Sequence, residues 1–196
     1  MAVDDHADAT ELRRRSDVLD ETPLPGPGRF TGPATGDELP MLAGFLADQR
    51  ATLVLRCAGL EEELAARSAE PSTLSLLGLV RHLADVERHW FREILAGQRD
   101  ARPLFSSPAS PDGDFDFDEA SATPAAVAEA WEAWRAAVAF SDRFTAEAPH
   151  LDVSGDDAWR GKVSLRWVLI HLIEEYARHN GHADLLRERI DGTRGL

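Results

Sequence analysis

This sequence holds one cysteine, one lysine, one tyrosine and two methionines in 196 residues. The lone Cys57 can close no internal disulfide, which removes the stapled secreted scaffolds from consideration. No run approaches the ~18 consecutive apolar residues of a membrane span, and the N-terminus MAVDDHADATELRRR has no apolar signal-peptide core. Together these absences predict a soluble, cytoplasmic protein. Positive charge is also short: 21 Lys and Arg stand against 35 Asp and Glu, a formal net charge of −14. With no basic stripe to offset that excess, a nucleic-acid backbone is excluded as partner. Lys162 is the sole lysine beside twenty arginines, a codon bias of GC-rich genomes. Several catalytic motifs are missing as well: G-x-S-x-G, H-E-x-x-H, a Walker A loop and C-x-x-C. Nor does Glu-x-x-His occur on two helices, as a ferritin-like di-iron site requires.

What is present is apolar material for one core, 43% of residues, in a chain of single-domain length. Residues 1–36 are charged and then rich in Pro and Gly, and they read as a loosely packed arm; Gly26–Gly28 is turn chemistry there. Residues 37–196 read as the folded domain. Helical periodicity predicts four long helices. The first spans about 37–58, burying Leu42, Phe45, Leu46, Leu53 and Cys57, with EEELAAR forming a further short turn. The second spans about 75–96, ended by Gly97. The third opens at the cap Thr123-Pro124 and runs to about Glu147. The fourth is 164–191, capped by Ser164 and stopped at Gly192. Trp90, Trp131 and Trp134 are assigned to the core, and Cys57 is taken as a small core residue. Between helices two and three, residues 98–122 form a long linker pinned by Phe105, Phe115 and Phe117. Its acidic run DGDFDFDE lacks EF-hand spacing and reads as a solvated loop. Residues 148–163 read as a polar loop. With strand signals nowhere, the expected fold is all-α, a four-helix bundle whose up-and-down order periodicity leaves open.

The fourth helix carries the chemistry. His171, Glu175 and His179 recur every four residues and so lie one above another, with His182 three further on. An E-x-x-x-H pair alone is more often structural than ligating. A third ligand from a facing helix would complete His₂Glu with an open position, the arrangement of catalytic zinc sites. His82, on the second helix, is the best candidate; His89 lies ~10 Å further along that helix and cannot share one ion with it.

SLLGLVRHLADVERHWF, followed about ninety residues later by SLRWVLIHLIEEYARHNGHADLLRERIDG, resembles the DinB-like superfamily, in particular an actinobacterial branch long labelled a domain of unknown function. The similarity covers about residues 38–192. It implies a four-helix bundle, often a homodimer, that holds a divalent metal with one histidine of the second helix and two residues four apart on the last. His82, Glu175 and His179 stand at those positions. Glu175 replaces the usual histidine, as in the mycothiol-dependent maleylpyruvate isomerase relatives, which also use His, Glu, His. His182 falls where relatives carry glutamine and is expected beside the site, and His171 is the fallback ligand.

Two classes of function follow. One is a metal-dependent transferase or isomerase in which the open position takes a low-molecular-weight thiol, with mycothiol the natural candidate given the GC-rich signature. In a hydrolytic variant, His89, His171, Glu174 or Asp85 serves as base toward water. The other class is a stress-associated bundle that binds metal or ligand without turnover. Zinc suits the ligand set, as do nickel, iron and manganese. The expected partners are a small-molecule substrate and the thiol.

Overall fold

The computed structural model describes residues 32–59, 67–68, 72–115 and 122–194. Most of the arm, all but Arg67 of the short helical turn expected at 61–67, Gly26–Gly28 and Phe117 lie outside the described residues. Four long helices dominate: α1 (Glu38–Cys57), α2 (Leu76–Arg88), α3 (Pro124–Glu147) and α4 (Leu165–Asp191). Their ends follow side-chain chemistry legible in the sequence. Ser75, Thr123 and Ser164 each accept a hydrogen bond from the backbone N–H three residues on, satisfying a donor that the first turn leaves free. Beyond Arg88 the second helix widens into π-helical winding over His89–Leu95, closed by the Ala96 N–H donating to the Phe91 carbonyl at 3.0 Å.

Paired side chains fix the helix directions. Glu38 meets Arg166, Gln49 meets Asn180 and Arg56 meets Asp184, so α1 and α4 run parallel. His82 packs on His179 and Trp90 on His171, so α2 and α4 run antiparallel. Glu87 meets Ser141 and Phe91 meets Phe144, so α2 and α3 run parallel. The order is therefore up, down, down, up. Two consecutive parallel helices need a crossover, which explains the long 96–123 connection. Phe105 packs on the main core and Phe115 on a smaller cluster formed by Leu76, Leu79, Ala183 and Leu186.

Two expectations need correction. The 148–163 stretch is not only a loop: β1 (Ser154–Asp157) pairs antiparallel with β2 (Gly161–Ser164), Gly155 opposite Val163. Neither SGDD nor GKVS shows the apolar alternation that announces a strand. The hairpin is held instead by close packing, because a Cβ at Gly155 would fall 2.0 Å from the Ile94 carbonyl oxygen of the π-helical segment. Phe45, assigned to the buried side of α1, is 55% exposed. It sits one residue, about 100°, around the helix from buried Leu46. The turns between Leu46 and Leu53 bury Arg50 instead.

Trp90 (5% exposed) and Trp134 (6%) are buried as expected, and Trp131 is partly buried against the core. Replacing Trp90 with alanine should cost about 3–5 kcal/mol in urea unfolding of the metal-free chain. A variant of unchanged stability would show that the ring is not a core anchor.

Candidate metal centre

On α4 the 3.6-residue repeat places Glu175 and His179 one turn apart on the same face, with Glu175 Oε2 3.6 Å from His179 Nε2. Antiparallel α2 brings His82 against them, its ring centroid 4.7 Å from that of His179. One donor atom from each of the three lies within 4.8 Å of the others. Donors on a tetrahedral ion with bonds of ~2.0–2.2 Å stand about 3.3–3.6 Å apart. The Glu175–His179 edge already has that length, and the remaining donors, within 4.8 Å, need to close by about 1.5 Å at most. Two imidazoles and a carboxylate are also the donor set of catalytic divalent-metal sites, so the residues fit such an ion. The side chains keep 25% (His82), 23% (Glu175) and 11% (His179) of their exposure, so the centre is partly accessible to solvent.

Each histidine has a partner behind it. The Nδ1 of His82 lies 2.7 Å from Asp114 Oδ2, an Asp–His pairing of the kind that fixes a ligating ring and leaves Nε2 for the ion. Residues 116–119 of the acidic run lie outside the described residues and Asp112 is exposed as expected, but Asp114 is buried, 5% exposed, which corrects the solvated-loop reading at that position. Phe115, the next residue, lays its ring 5.2 Å from that of His82, and it fits because Gly78 lacks a Cβ that would stand 2.7 Å from its Cδ1. His182 Nδ1 approaches His179 Nδ1 at 3.4 Å, beside the site as expected. Burial, followed by the nearby His82 and His182, pushes the His179 pKa down to about 4, so its ring is neutral, the ligating form, at neutral pH.

The other candidates are dispersed. Asp85 is buried and accepts the backbone N–H groups of Leu104, Phe105 and Ser106 at 2.6–3.1 Å, so its carboxylate caps the crossover loop. His89 faces Glu93, with Nδ1 3.0 Å from Oε2, and Asp157, with Nε2 3.8 Å from Oδ2. Glu174 is exposed and faces Arg178. His171 does not join the triad. Its ring stacks on Trp167 (4.8 Å, 19°) and meets the edge of Trp90, one turn of α4 before Glu175. Burial depresses its pKa, so it too is neutral near pH 7. Cys57 packs against the core, and burial pushes its thiol up to about 12, so it supplies no thiolate. A cavity of about 710 Å³ opens on the His182 side, lined by Ser72, Leu74, Leu185, Leu186, Glu188 and Arg189. Among the described residues no helix is long and apolar enough to cross a membrane.

No curated protein matches this chain. The family model described as mycothiol-S-transferase matches residues 41–192, which takes in α1 from Met41 onward, the other three helices, His82, Asp114, Glu175 and His179. The DinB-like resemblance read from the helix-two and helix-four motifs is thereby borne out. By a match over most of its length, the chain belongs to the mycothiol-S-transferase family.

Proposed function

We propose that this protein is a metal-dependent, cytoplasmic mycothiol S-transferase built as a DinB-type four-helix bundle, in which His82, Glu175 and His179 hold one divalent ion, zinc by preference. The observation that carries the reading is the convergence of three partly exposed donors from antiparallel helices, backed by Asp114 and His182. When bound, such an ion supplies Lewis acidity that lowers the pKa of a thiol or water at its free position.

The chain's own residues do the rest. Asp114 holds His82 in one orientation through a hydrogen bond to Nδ1, and the Phe115 ring packs beside the same imidazole. Cys57 cannot act as nucleophile, so the reacting sulfur comes from the thiol cosubstrate. Among the candidate bases, Asp85 is committed to backbone amides and Glu174 points to solvent. His171, neutral and on the triad's face of α4, is the residue we assign to take the thiol proton. As the sulfur–carbon bond forms, the bond to the leaving group breaks, and His171 returns the proton to that group.

The test is turnover of a panel of small electrophiles by the zinc-loaded chain, with and without mycothiol. Product formation should require both thiol and metal, and His171→Ala should lower it by about 10²–10⁴-fold at pH 7 while leaving metal content unchanged. Thiol-independent hydrolysis would favour the water reading. Metal binding without either chemistry would leave a binding protein.

A further inference from the structure

Trp167, His171, Glu175 and His179 recur every four residues on α4, so the face that carries the metal triad continues toward the β1–β2 hairpin. At that end the turn between the strands presents Trp159 and Arg160. The Arg160 guanidinium carbon lies 4.4 Å from the Trp159 ring centroid, 5.2 Å from that of Trp167 and 5.6 Å from that of Trp90. Three indoles thus hold one cation in place. The acidic groups nearby make their direct contacts with groups other than the Arg160 guanidinium. Asp157 accepts the backbone N–H groups of Trp159 and Arg160 and faces His89, while Glu174 faces Arg178 and His171. Among the described residues no carboxylate pairs with Arg160 within 4.0 Å.

A guanidinium is built for two parallel hydrogen bonds to a planar carboxylate, and one already oriented by stacking loses less freedom when it makes them. Trp159, 81% exposed, offers its face to solvent beside that cation. In a chain of net charge −14, an arginine held by three indoles, with only a longer-range attraction to Asp157, is a feature of this face that attracts an anion. From Trp167 to Glu175 is eight residues of helix, ~12 Å along the axis.

We infer that Arg160, Trp159 and Trp167 form a subsite for the carboxylate end of a flat, unsaturated or aromatic electrophile whose reacting carbon lies about two helical turns away, at the metal triad. This assignment of substrate class rests on the transferase reading, but binding at the subsite does not require the metal. The experiment therefore measures equilibrium binding of 2-naphthoate and its uncharged isostere 2-naphthamide by calorimetry. The full chain is used both zinc-loaded and chelated, beside Arg160→Gln, Trp159→Ala and His179→Ala.

The carboxylate should bind about tenfold or more tightly than the amide in both metal states and in His179→Ala. Arg160→Gln should erase that preference, and Trp159→Ala should weaken both probes by a similar factor through lost stacking. Both substituted side chains are exposed, so loss of the fold does not confuse the result. A preference that survives Arg160→Gln but vanishes with chelation would place the carboxylate on the metal and overturn the subsite. Equal binding of the two probes would overturn it as well. Failure of thiol-dependent turnover, with the naphthoate preference intact, would count against the transferase reading alone.

Discussion

Replacing His179 with alanine is expected to take the chain from about one bound zinc per molecule to none, read by metal analysis after purification without chelator. Two-ligand sites rarely retain zinc through purification, and Glu175 and His82 would be all that remained of the triad. The fold should survive. Without metal, the polar contacts of His179 are long, 3.4 Å to His182 and 3.6 Å to Glu175, so its removal breaks no strong hydrogen bond. Asp114→Asn tests the same site from behind: it should weaken zinc binding by about 10–100-fold, because it removes the charge that orients His82.

The metal-free chain adds a pH signature. The folded His179 pKa, about 4, lies below the ordinary 6.5, so between those values the unfolded chain binds a proton that the folded one refuses. Stability therefore rises with pH through that window and is lost as pH falls toward 4. His179→Ala should flatten that part of the pH–stability curve. Retention of stoichiometric zinc by the variant would remove His179 from the ligand set.

The helices and most of the triad were legible because both obey local rules. Ser75, Thr123-Pro124, Ser164 and Gly192 mark helix ends through their own backbone chemistry, and Glu175 and His179 share a stripe by periodicity alone. The DinB-like motif supplied His82, which spacing could only nominate. Asp114 was not legible. In sequence an aspartate in DGDFDFDE cannot be told from the other acidic residues of the run, and only the crossover's path carries it beside His82. The hairpin escaped notice because its two strands are polar and glycine-bearing, stabilised by contact with Ile94 instead of by an apolar face. Arg50 and Glu87 were invisible for a related reason: a charge within an amphipathic helix reads as solvent-facing unless its partners on other helices are known. Phe45 was misplaced because the inward stripe runs through Leu46, Arg50 and Leu53, about 100° around the helix from it.

Glu87→Leu should be among the most destabilising single substitutions in the protein, costing about 3–5 kcal/mol. Glu87 is fully buried and ties the four helices together. Its Oε1 accepts from Arg50 Nε of α1 at 2.7 Å and from the Tyr176 hydroxyl of α4 at 3.0 Å, while its Oε2 accepts from Arg50 Nη2 at 2.8 Å and from Ser141 Oγ of α3 at 2.5 Å. Trp134 Nε1 of α3 closes the network by donating to the Tyr176 oxygen at 2.8 Å.

Burial alone would discourage the Arg50 charge, but Glu87 and Asp142 hold it protonated. Burial, with the Glu87 charge beside it, holds the Tyr176 proton on and keeps that hydroxyl a donor. Removing the carboxylate strands a guanidinium that then has only Asp142, whose side chain is 64% exposed. The cost is that of an uncompensated buried charge and does not measure the net worth of the pair. The double variant Arg50→Met, Glu87→Leu removes both charges and should recover much of the loss, so urea unfolding of the two single variants and the double should show strong non-additivity. Additive losses would mean that the two residues act independently, and the buried network would then not be what holds α1, α2 and α4 in register.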